Sequence, residues 1–313
     1  MYKTLSTTRQ GKYFKRAIAI AAGVFFIYAM WKSYLSLNLS LADVFRISIP
    51  TFLLIVLLTF FNLFCEYKKW SGLIHSPVLK PIAGLKAIVY GMSTGFLTPN
   101  RIGEFAGRAV VLPQEIRTKG SVMTFLGAGL QGAMTVIGGA IGIIFFPMEI
   151  YMPEIWVVNI KRLLFLIAVV LIVVIIIFFQ KSLRRFIRKI LSHLRSVNAG
   201  ILIKSFFWAV LRYLVFSTQF VIALYSMGFS GDVATCYAGV AIVYLIQSYI
   251  PFAAMGELGV REVIAVLIFS PFMEIPVLAA VASFMVWVAN VGVPVLLGAV
   301  YLRFSNSNTA IHD

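Results

Sequence analysis

Long blocks of apolar residues alternate with short polar or basic stretches along almost the whole chain. The blocks cover approximately residues 17–35, 47–66, 82–98, 121–146, 161–179, 204–227, 232–251 and 276–302, and a shorter apolar piece follows at 263–270. A membrane-spanning helix needs about 20 apolar residues, whereas the strands of an outer-membrane barrel are short and alternate in polarity. The pattern therefore predicts an all-α polytopic membrane protein.

Composition agrees with this interpretation and limits the domain organisation. Apolar residues make up 61% of the 313 residues and charged residues 12%, and the mean hydropathy is +0.95. Soluble domains are about 45–50% apolar and about 25% charged. We therefore expect a single transmembrane domain over 1–313 that ends in a polar tail at 304–313, without a soluble catalytic domain.

The net charge of +16 could indicate a nucleic-acid partner, but the distribution of the basic residues favours a membrane topology. They concentrate before residue 17, at 67–81 and at 180–204, while the stretch 147–160 has two glutamates and no Lys or Arg. Short loops rich in Lys and Arg face the cytoplasm. We expect a multi-pass protein of the cytoplasmic membrane, with both termini in the cytoplasm and no nucleic-acid partner.

One apolar segment does not fit a simple zigzag of crossings. The segment 82–98 starts on the predicted cytoplasmic side, and the stretch after it carries Arg101, Arg108, Arg117 and Lys119, which also favour the cytoplasm. A segment that enters the membrane, turns and returns to the same side resolves the conflict. Such re-entrant backbone occurs where it is buried in protein or faces a water-filled cavity.

Two stretches repeat the pattern Gly-Glu-x-x-x-Arg, at Gly103–Arg108 and at Gly256–Arg261, with an offset of 153 residues. The same offset carries 47–66, 82–98 and 121–146 onto 200–219, 235–251 and 274–299, which overlap three later blocks. The chain therefore divides into a first repeat at 1–150 and a second at 151–303. Each would hold three spanning helices and a re-entrant helical hairpin, and an odd number of crossings makes the repeats inverted. Inverted repeats with a binding site between them are typical of transporters.

The hairpin tips, residues 98–108 (the first tip) and 251–262 (the second tip), contain the candidate site. Pro and Gly allow the helix to end and turn, and Glu and Arg four residues apart can form an ion pair. The helix after each turn would direct free N–H groups at an anion. An ionisable residue near the bilayer centre usually marks a site, although these pairs could also simply hold the hairpins. The predicted headgroup-binding residues are Arg101, Glu104, Arg108, Arg212, Glu257, Arg261 and Glu262, and the predicted turn residues are Pro99, Gly103, Pro251, Gly256 and Gly259.

Fewer roles are expected for the other polar residues in the apolar blocks. Arg212 could pair with a tip glutamate or face the cavity and receive a phosphate. Interhelical hydrogen bonds are expected for Gln131, Gln219, Gln247 and Asn290. The two cysteines, Cys65 and Cys236, are expected to be packing residues, and no cofactor, metal ligand or catalytic residue is predicted.

At the two motifs the chain resembles the lysylphosphatidylglycerol synthase transmembrane region family, which is also described as flippase-like. The resemblance rests on Thr98-Pro-Asn-Arg-Ile-Gly-Glu104 and on Ala253-Ala-Met-Gly-Glu-Leu-Gly-Val-Arg-Glu262, where Glu257 stands in place of a second Gly of the family pattern. It implies a polytopic protein that moves a lipid between leaflets. The aminoacyl transfer of the synthases belongs to a separate soluble domain.

Three hypotheses for the function follow. The first is a flippase-like translocase that passes an anionic lipid headgroup between the hairpins, without a nucleotide-binding motif. The second is a membrane-embedded transferase acting on a lipid-linked substrate, for which Glu104, Glu257 and Glu262 would be the only candidate bases. The third is a non-catalytic membrane partner of a lipid synthase, and homo-oligomers are compatible with all three. We favour the translocase, which is not an enzyme.

Overall fold

The computed structural model describes residues 47–96, 98, 101–151, 197–249 and 257–298, without the side chains of 257 and 258. Within these ranges the chain is all-helical and forms no strand, as the apolar pattern predicts. The predicted spans at 17–35 and 161–179, and the turn residues Pro99, Pro251 and Gly256, lie outside the described residues.

The described residues form eight α-helices, numbered in chain order. They are α1 (Ile49–Ile74), α2 (Pro81–Phe96), α3 (Gly103–Val111), α4 (Arg117–Phe145), α5 (Ala199–Ser226), α6 (Val233–Tyr249), α7 (Glu257–Phe269) and α8 (Val277–Trp287). A π-helical segment at Val288–Gly292 continues α8, and the whole final helix runs over Val277–Gly298.

In the part of the chain that the structure describes, four helical segments are long and apolar enough to cross a membrane: Ile49–Ile74, Gln114–Phe145, Ala199–Ser226 and Val277–Gly298. Their outward side chains are large and apolar, and include Leu57, Phe125 and Phe207, each more than half exposed. A surface of this kind requires an apolar surrounding, since exposed apolar patches of a water-soluble monomer are small. The described chain is therefore an apolar helical bundle of the membrane-embedded type.

The first described helix extends further than the sequence predicts. The apolar block ends near residue 66, so that 67–81 was expected to be a cytoplasmic loop, but α1 continues to Ile74 and ends at His75 in the left-handed conformation. Lys69 was expected to be a topology signal in this loop, and it is instead 2% exposed inside the bundle. The prediction was wrong because Lys69 has a carboxylate partner one helical turn earlier.

Small residues bring the helices close together. The helix α1 packs along α5, and α4 packs along α6, where a Cβ added at Gly142 would lie 2.7 Å from the carbonyl oxygen of Ala238. The glycine-rich stretch of α4 therefore packs closely against its neighbours. Gly-dependent contacts of this kind are common between helices in membranes.

The shorter helices pack in two pairs, each made of helices that follow each other in the chain. The helix α2 packs against α3, and α6 packs against α7. In the first hairpin, Thr94 donates a hydrogen bond to the carbonyl oxygen of Gly103, 2.9 Å away. A Cβ at Gly107 would overlap with Thr94 and lie 3.0 Å from Gly91 Cα. These glycines allow the backbones of α2 and α3 to touch.

Candidate functional site

A cavity of about 310 Å³ lies among α1 to α6, beside the first tip. Its volume falls at the lower end of the range of ligand pockets, about 300–1,000 Å³. Four cationic side chains and two carboxylates belong to its lining. The lining residues are Glu66, Lys69, Met92, Arg101, Glu104, Phe105, Arg108, Thr124, Ala128, Gln131, Gly132, Thr135, Arg212 and Ser248.

Glu66 of α1 is the carboxylate around which the site is organised. Its Oε2 lies 2.6 Å from Nζ of Lys69 and 3.0 Å from Nη1 of Arg212, and its Oε1 accepts a hydrogen bond from Nη2 of Arg108 at 2.7 Å. The side chain is 7% exposed. One buried carboxylate therefore connects cations from three helices, α1, α3 and α5.

Arg108 joins the first hairpin to α1. Its Nη2 donates to Glu66 and to Glu104, so that the i, i+4 ion pair predicted between Glu104 and Arg108 is present. The guanidinium also stacks on the ring of Trp70, 5.2 Å from the centroid, and Trp70 is fixed by a hydrogen bond to Thr124. The guanidinium is therefore oriented by two carboxylates that share Nη2 and by an aromatic face.

The hydrogen-bonding capacity of Arg108 is only partly used. Its Nε is buried and has no hydrogen-bond partner among the described residues. A buried guanidinium N–H without an acceptor is costly.

The first three N–H groups of α3 all have acceptors within the described part of the turn. The N–H of Gly103 donates to Oγ1 of Thr98 at 2.7 Å, and the N–H groups of Glu104 and Phe105 donate to the carbonyl oxygens of Arg101 and Ile102. The predicted anion site at the N-terminus of this helix was therefore wrong for the first tip, because the turn satisfies its own donors. Side chains, rather than backbone, provide the positive charge of the cavity.

Arg101 lies in this turn with a φ of +55°. Residues with a Cβ rarely adopt this left-handed conformation, at a cost of about 1–2 kcal/mol. The conformation places Arg101 in the lining of the cavity. The predicted headgroup residues Arg101, Glu104, Arg108 and Arg212 are thus brought together in one site.

A chain of amide side chains extends from the cavity into the bundle. Arg212 Nε donates to Asn62 at 3.0 Å, Asn62 pairs with Asn290, and Asn290 donates to Gln219 at 2.8 Å. Gln219 in turn donates to the carbonyl oxygen of Ile55 and to Thr59. The interhelical hydrogen bonds predicted for Gln219 and Asn290 are confirmed, and the chain fixes the orientation of Arg212.

The two remaining amides behave differently from each other. Gln131 donates to the carbonyl oxygen of Ala209 at 3.4 Å and accepts from Lys69 and Arg212 at the cavity wall, so the prediction is confirmed. Gln247 has a buried Oε1 without a partner among the described residues. The cysteines Cys65 and Cys236 are buried and unpaired, as expected of packing residues.

The described part of the second tip forms a separate, closed cluster. Arg261 donates from Nε to Oγ of Ser283 at 2.7 Å and from Nη2 to its carbonyl oxygen at 2.6 Å. Nη2 also contacts Glu262 at 3.2 Å, and Glu262 accepts the N–H of Gly259 at 2.6 Å. Arg261 and Glu262 do not belong to the cavity lining, and the side chain of Glu257 lies outside the described residues.

Sequence reasoning missed Glu66 and Lys69, the two site residues of α1. The available signal was an acid–base pair three residues apart at the end of an apolar block, on the same face of a helix. Lys69 was assigned instead to a loop, and Glu66 was overlooked because no repeated motif surrounds it. Arg212 proved to pair with this overlooked carboxylate rather than with a tip glutamate.

The comparisons with known proteins found no match for this chain, whether with family models, curated proteins or solved structures.

Proposed function

We propose that this protein is a flippase-like membrane translocase that moves an anionic lipid headgroup between leaflets through the cavity beside the first tip. The observation that supports this proposal is the charge of the lining, where cationic side chains outnumber carboxylates four to two among the described residues. Charges at membrane depth are costly and usually line substrate pathways. The resemblance of the two motifs to the lysylphosphatidylglycerol synthase transmembrane region family supports the same function.

The packing of the helices supports an inverted repeat. The offset of 153 residues relates α1 to α5, α2 to α6, α3 to α7 and α4 to α8. The related helices α1 and α5 pack against each other, and α4 packs on α6. Correspondingly, the end of the final helix contacts α2, where Ser93 donates to the carbonyl oxygen of Val295 at 2.9 Å. A two-fold pseudo-symmetry would produce these matched contacts.

Two polar pairs between α1 and α5 follow the same relation. The offset carries Glu66 onto Gln219 and Thr59 onto Arg212. Arg212 contacts Glu66 at 3.0 Å, and Gln219 contacts Thr59 at 2.9 Å. The two pairs are therefore equivalent under the repeat, but one is charged and the other is neutral. This difference is expected if an ion binds at only one end of the α1–α5 interface.

The lengths of the hairpin helices support re-entrant segments. The helix α2 has 16 residues and α3 has 9, which gives about 24 Å and about 14 Å at 1.5 Å per residue. The corresponding helices α6 and α7 have 17 and 13 residues. The hydrocarbon core is about 30 Å thick, so we infer that each hairpin enters and leaves on the same side, with both chain termini in the cytoplasm.

Reconstitution tests the translocase proposal directly. Purified protein in liposomes should accelerate the exchange between leaflets of a labelled anionic lipid such as phosphatidylglycerol. Arg108→Lys should reduce the exchange rate roughly tenfold, because Lys keeps the charge but loses the planar set of donors, while the melting temperature in detergent stays near that of the wild type.

Arg261→Lys is the matched control, because it makes the same substitution in the equivalent motif away from the cavity. It should lower the melting temperature, since one ammonium group cannot replace the two donor atoms that bind Ser283, and it should lower exchange only in proportion to the folded protein. Exchange at the wild-type rate in Arg108→Lys, or no exchange above empty liposomes in the wild type, would refute the proposal.

A further inference from the structure

Two of the contacts that hold the guanidinium of Arg108 meet at a single atom. Glu66 and Glu104 both accept hydrogen bonds from Nη2. Hydrogen bonds at one nitrogen restrain the plane of the group only weakly, because they tolerate a range of angles. The ring of Trp70 adds a contact of a different kind, since its centre lies 5.2 Å from Cζ of Arg108. A planar guanidinium stacks on an aromatic face, so the ring of Trp70 determines the plane of the guanidinium.

Thr124 of α4 in turn fixes the ring of Trp70. Its Oγ1 accepts a hydrogen bond from Nε1 of Trp70 at 2.8 Å, and its own hydroxyl donates to the carbonyl oxygen of Gly120, also at 2.8 Å. The indole N–H can only donate, so a hydroxyl whose proton is already engaged presents a lone pair to it. The side chains of Thr124 and Trp70 are both buried. The hydrogen bond therefore connects α4 to Trp70 of α1 and, through the ring, to Arg108 of α3.

We infer that Thr124 is a positioning residue of the cavity, which acts through Trp70 to set the plane of the Arg108 guanidinium. The inference rests on the proposed function for one consequence, that a guanidinium in the wrong plane slows lipid transport. The position of the guanidinium itself can be measured without transport.

Thr135 provides a matched control on the same helix. Like Thr124, it is buried, lines the cavity and donates its hydroxyl to the carbonyl oxygen four residues earlier, which here is that of Gln131 at 3.2 Å. The indole of Trp70 donates to Thr124 instead. Thr→Val at either position removes the hydroxyl and nearly keeps the shape of the side chain, whereas Thr124→Ser keeps the hydroxyl.

Leaflet exchange of labelled phosphatidylglycerol by the full chain in liposomes is the first measurement. Thr124→Val should lower the exchange rate roughly fivefold, the effect of losing one oriented contact of the guanidinium. Thr135→Val and Thr124→Ser should exchange close to the wild-type rate. In the Arg108→Lys background, Thr124→Val should cause no further loss, because the guanidinium through which it acts is absent. A purely structural role would instead lower the melting temperature and add to the effect of Arg108→Lys.

Nuclear magnetic resonance of the nitrogen-labelled chain in detergent tests the geometry without transport. The indole N–H signal of Trp70, assigned by its loss in Trp70→Phe, should shift in Thr124→Val. The guanidinium signals of Arg108, assigned by their loss in Arg108→Lys, should shift in the same variant, because the ring current of Trp70 acts on them. Both sets of signals should keep their positions in Thr135→Val.

The outcomes separate this inference from the translocase proposal. Unchanged guanidinium signals in Thr124→Val, or equal losses of exchange in the two Val variants, would overturn the positioning role even where the wild type exchanges lipid. Shifts confined to Thr124→Val, in a protein whose wild type exchanges no lipid, would support the positioning of Arg108 and refute the translocase.

Discussion

The two copies of the Gly-Glu-x-x-x-Arg motif have the same spacing but different surroundings. At the first tip, Arg108 pairs with Glu66 of α1 and with Glu104, and it lines the cavity. Its buried Nε has no hydrogen-bond partner among the described residues. At the second tip, Arg261 is bound by both oxygens of Ser283 and by Glu262. The difference teaches that the spacing of a repeated motif does not determine the partners of its arginine, because these depend on the residues packed against it.

The largest effect expected from this comparison is on folding at the second tip. Arg261→Ala leaves Glu262 as a buried carboxylate without its cation, which costs about 3–5 kcal/mol, and the melting temperature in detergent should fall accordingly. Lys204→Ala, at an exposed position of α5, is the control and should have little effect. A wild-type melting temperature for Arg261→Ala would show that the closed cluster does not stabilise the second hairpin.

An intermediate effect is expected from the close packing of the first hairpin. In Gly107→Ala the new methyl group would collide with Thr94 and with the backbone of Gly91, and overpacking of this kind costs about 1–3 kcal/mol. Chemical denaturation in detergent should detect the loss, together with weaker binding at the adjacent cavity.

Gly129→Ala provides the matched comparison within α4. A Cβ at Gly129 meets nothing within 4 Å, so the substitution should be neutral or should stabilise by up to about 1 kcal/mol through helix propensity. If both glycine variants are equally stable, the first hairpin does not depend on contact between its backbones.

The smallest effect concerns the entrance to the second hairpin. Asp232 accepts hydrogen bonds from the backbone and hydroxyl of Thr235 at the start of α6, and these bonds hold the pKa of its carboxyl below the ordinary value. Because the folded pKa is lowered, the stabilisation is present above the unfolded pKa of about 3.9 and is lost as the pH falls through the folded pKa.

Melting temperatures of the wild type and of Asp232→Asn, measured from pH 7 down to pH 3, should therefore converge at the acid end. The first hairpin has no equivalent carboxylate at Pro81, where α2 begins. A constant difference between the two proteins over the whole pH range would contradict the assignment.

The apolar pattern was sufficient to predict the helical class and the approximate positions of the described helices except α3, which lies outside every apolar block. The C-terminal end of α1 was harder to predict, because a Lys at the edge of an apolar block is normally a topology signal. Lys69 is buried instead because its ammonium group pairs with Glu66. Only part of the site could be predicted from the sequence. The motif indicated Glu104 and Arg108, but only the side-chain contacts of α1 with Arg108 and Arg212 add Glu66 and Lys69. Arg261 does not belong to the described cavity lining.

The π-helical segment at Val288–Gly292 has a consequence for how the final helix meets its neighbours. A π turn accommodates one additional residue, which rotates everything after it by about 100° relative to a regular helix. Before the segment, Ser283 faces Arg261; after it, Val295 and Gly298 contact Ser93 on α2. The extra residue therefore lets one helix direct different faces at its neighbours before and after the π turn. Deleting a single residue there would rotate the end of the helix away from α2, while the contact between Ser283 and Arg261 would stay in register.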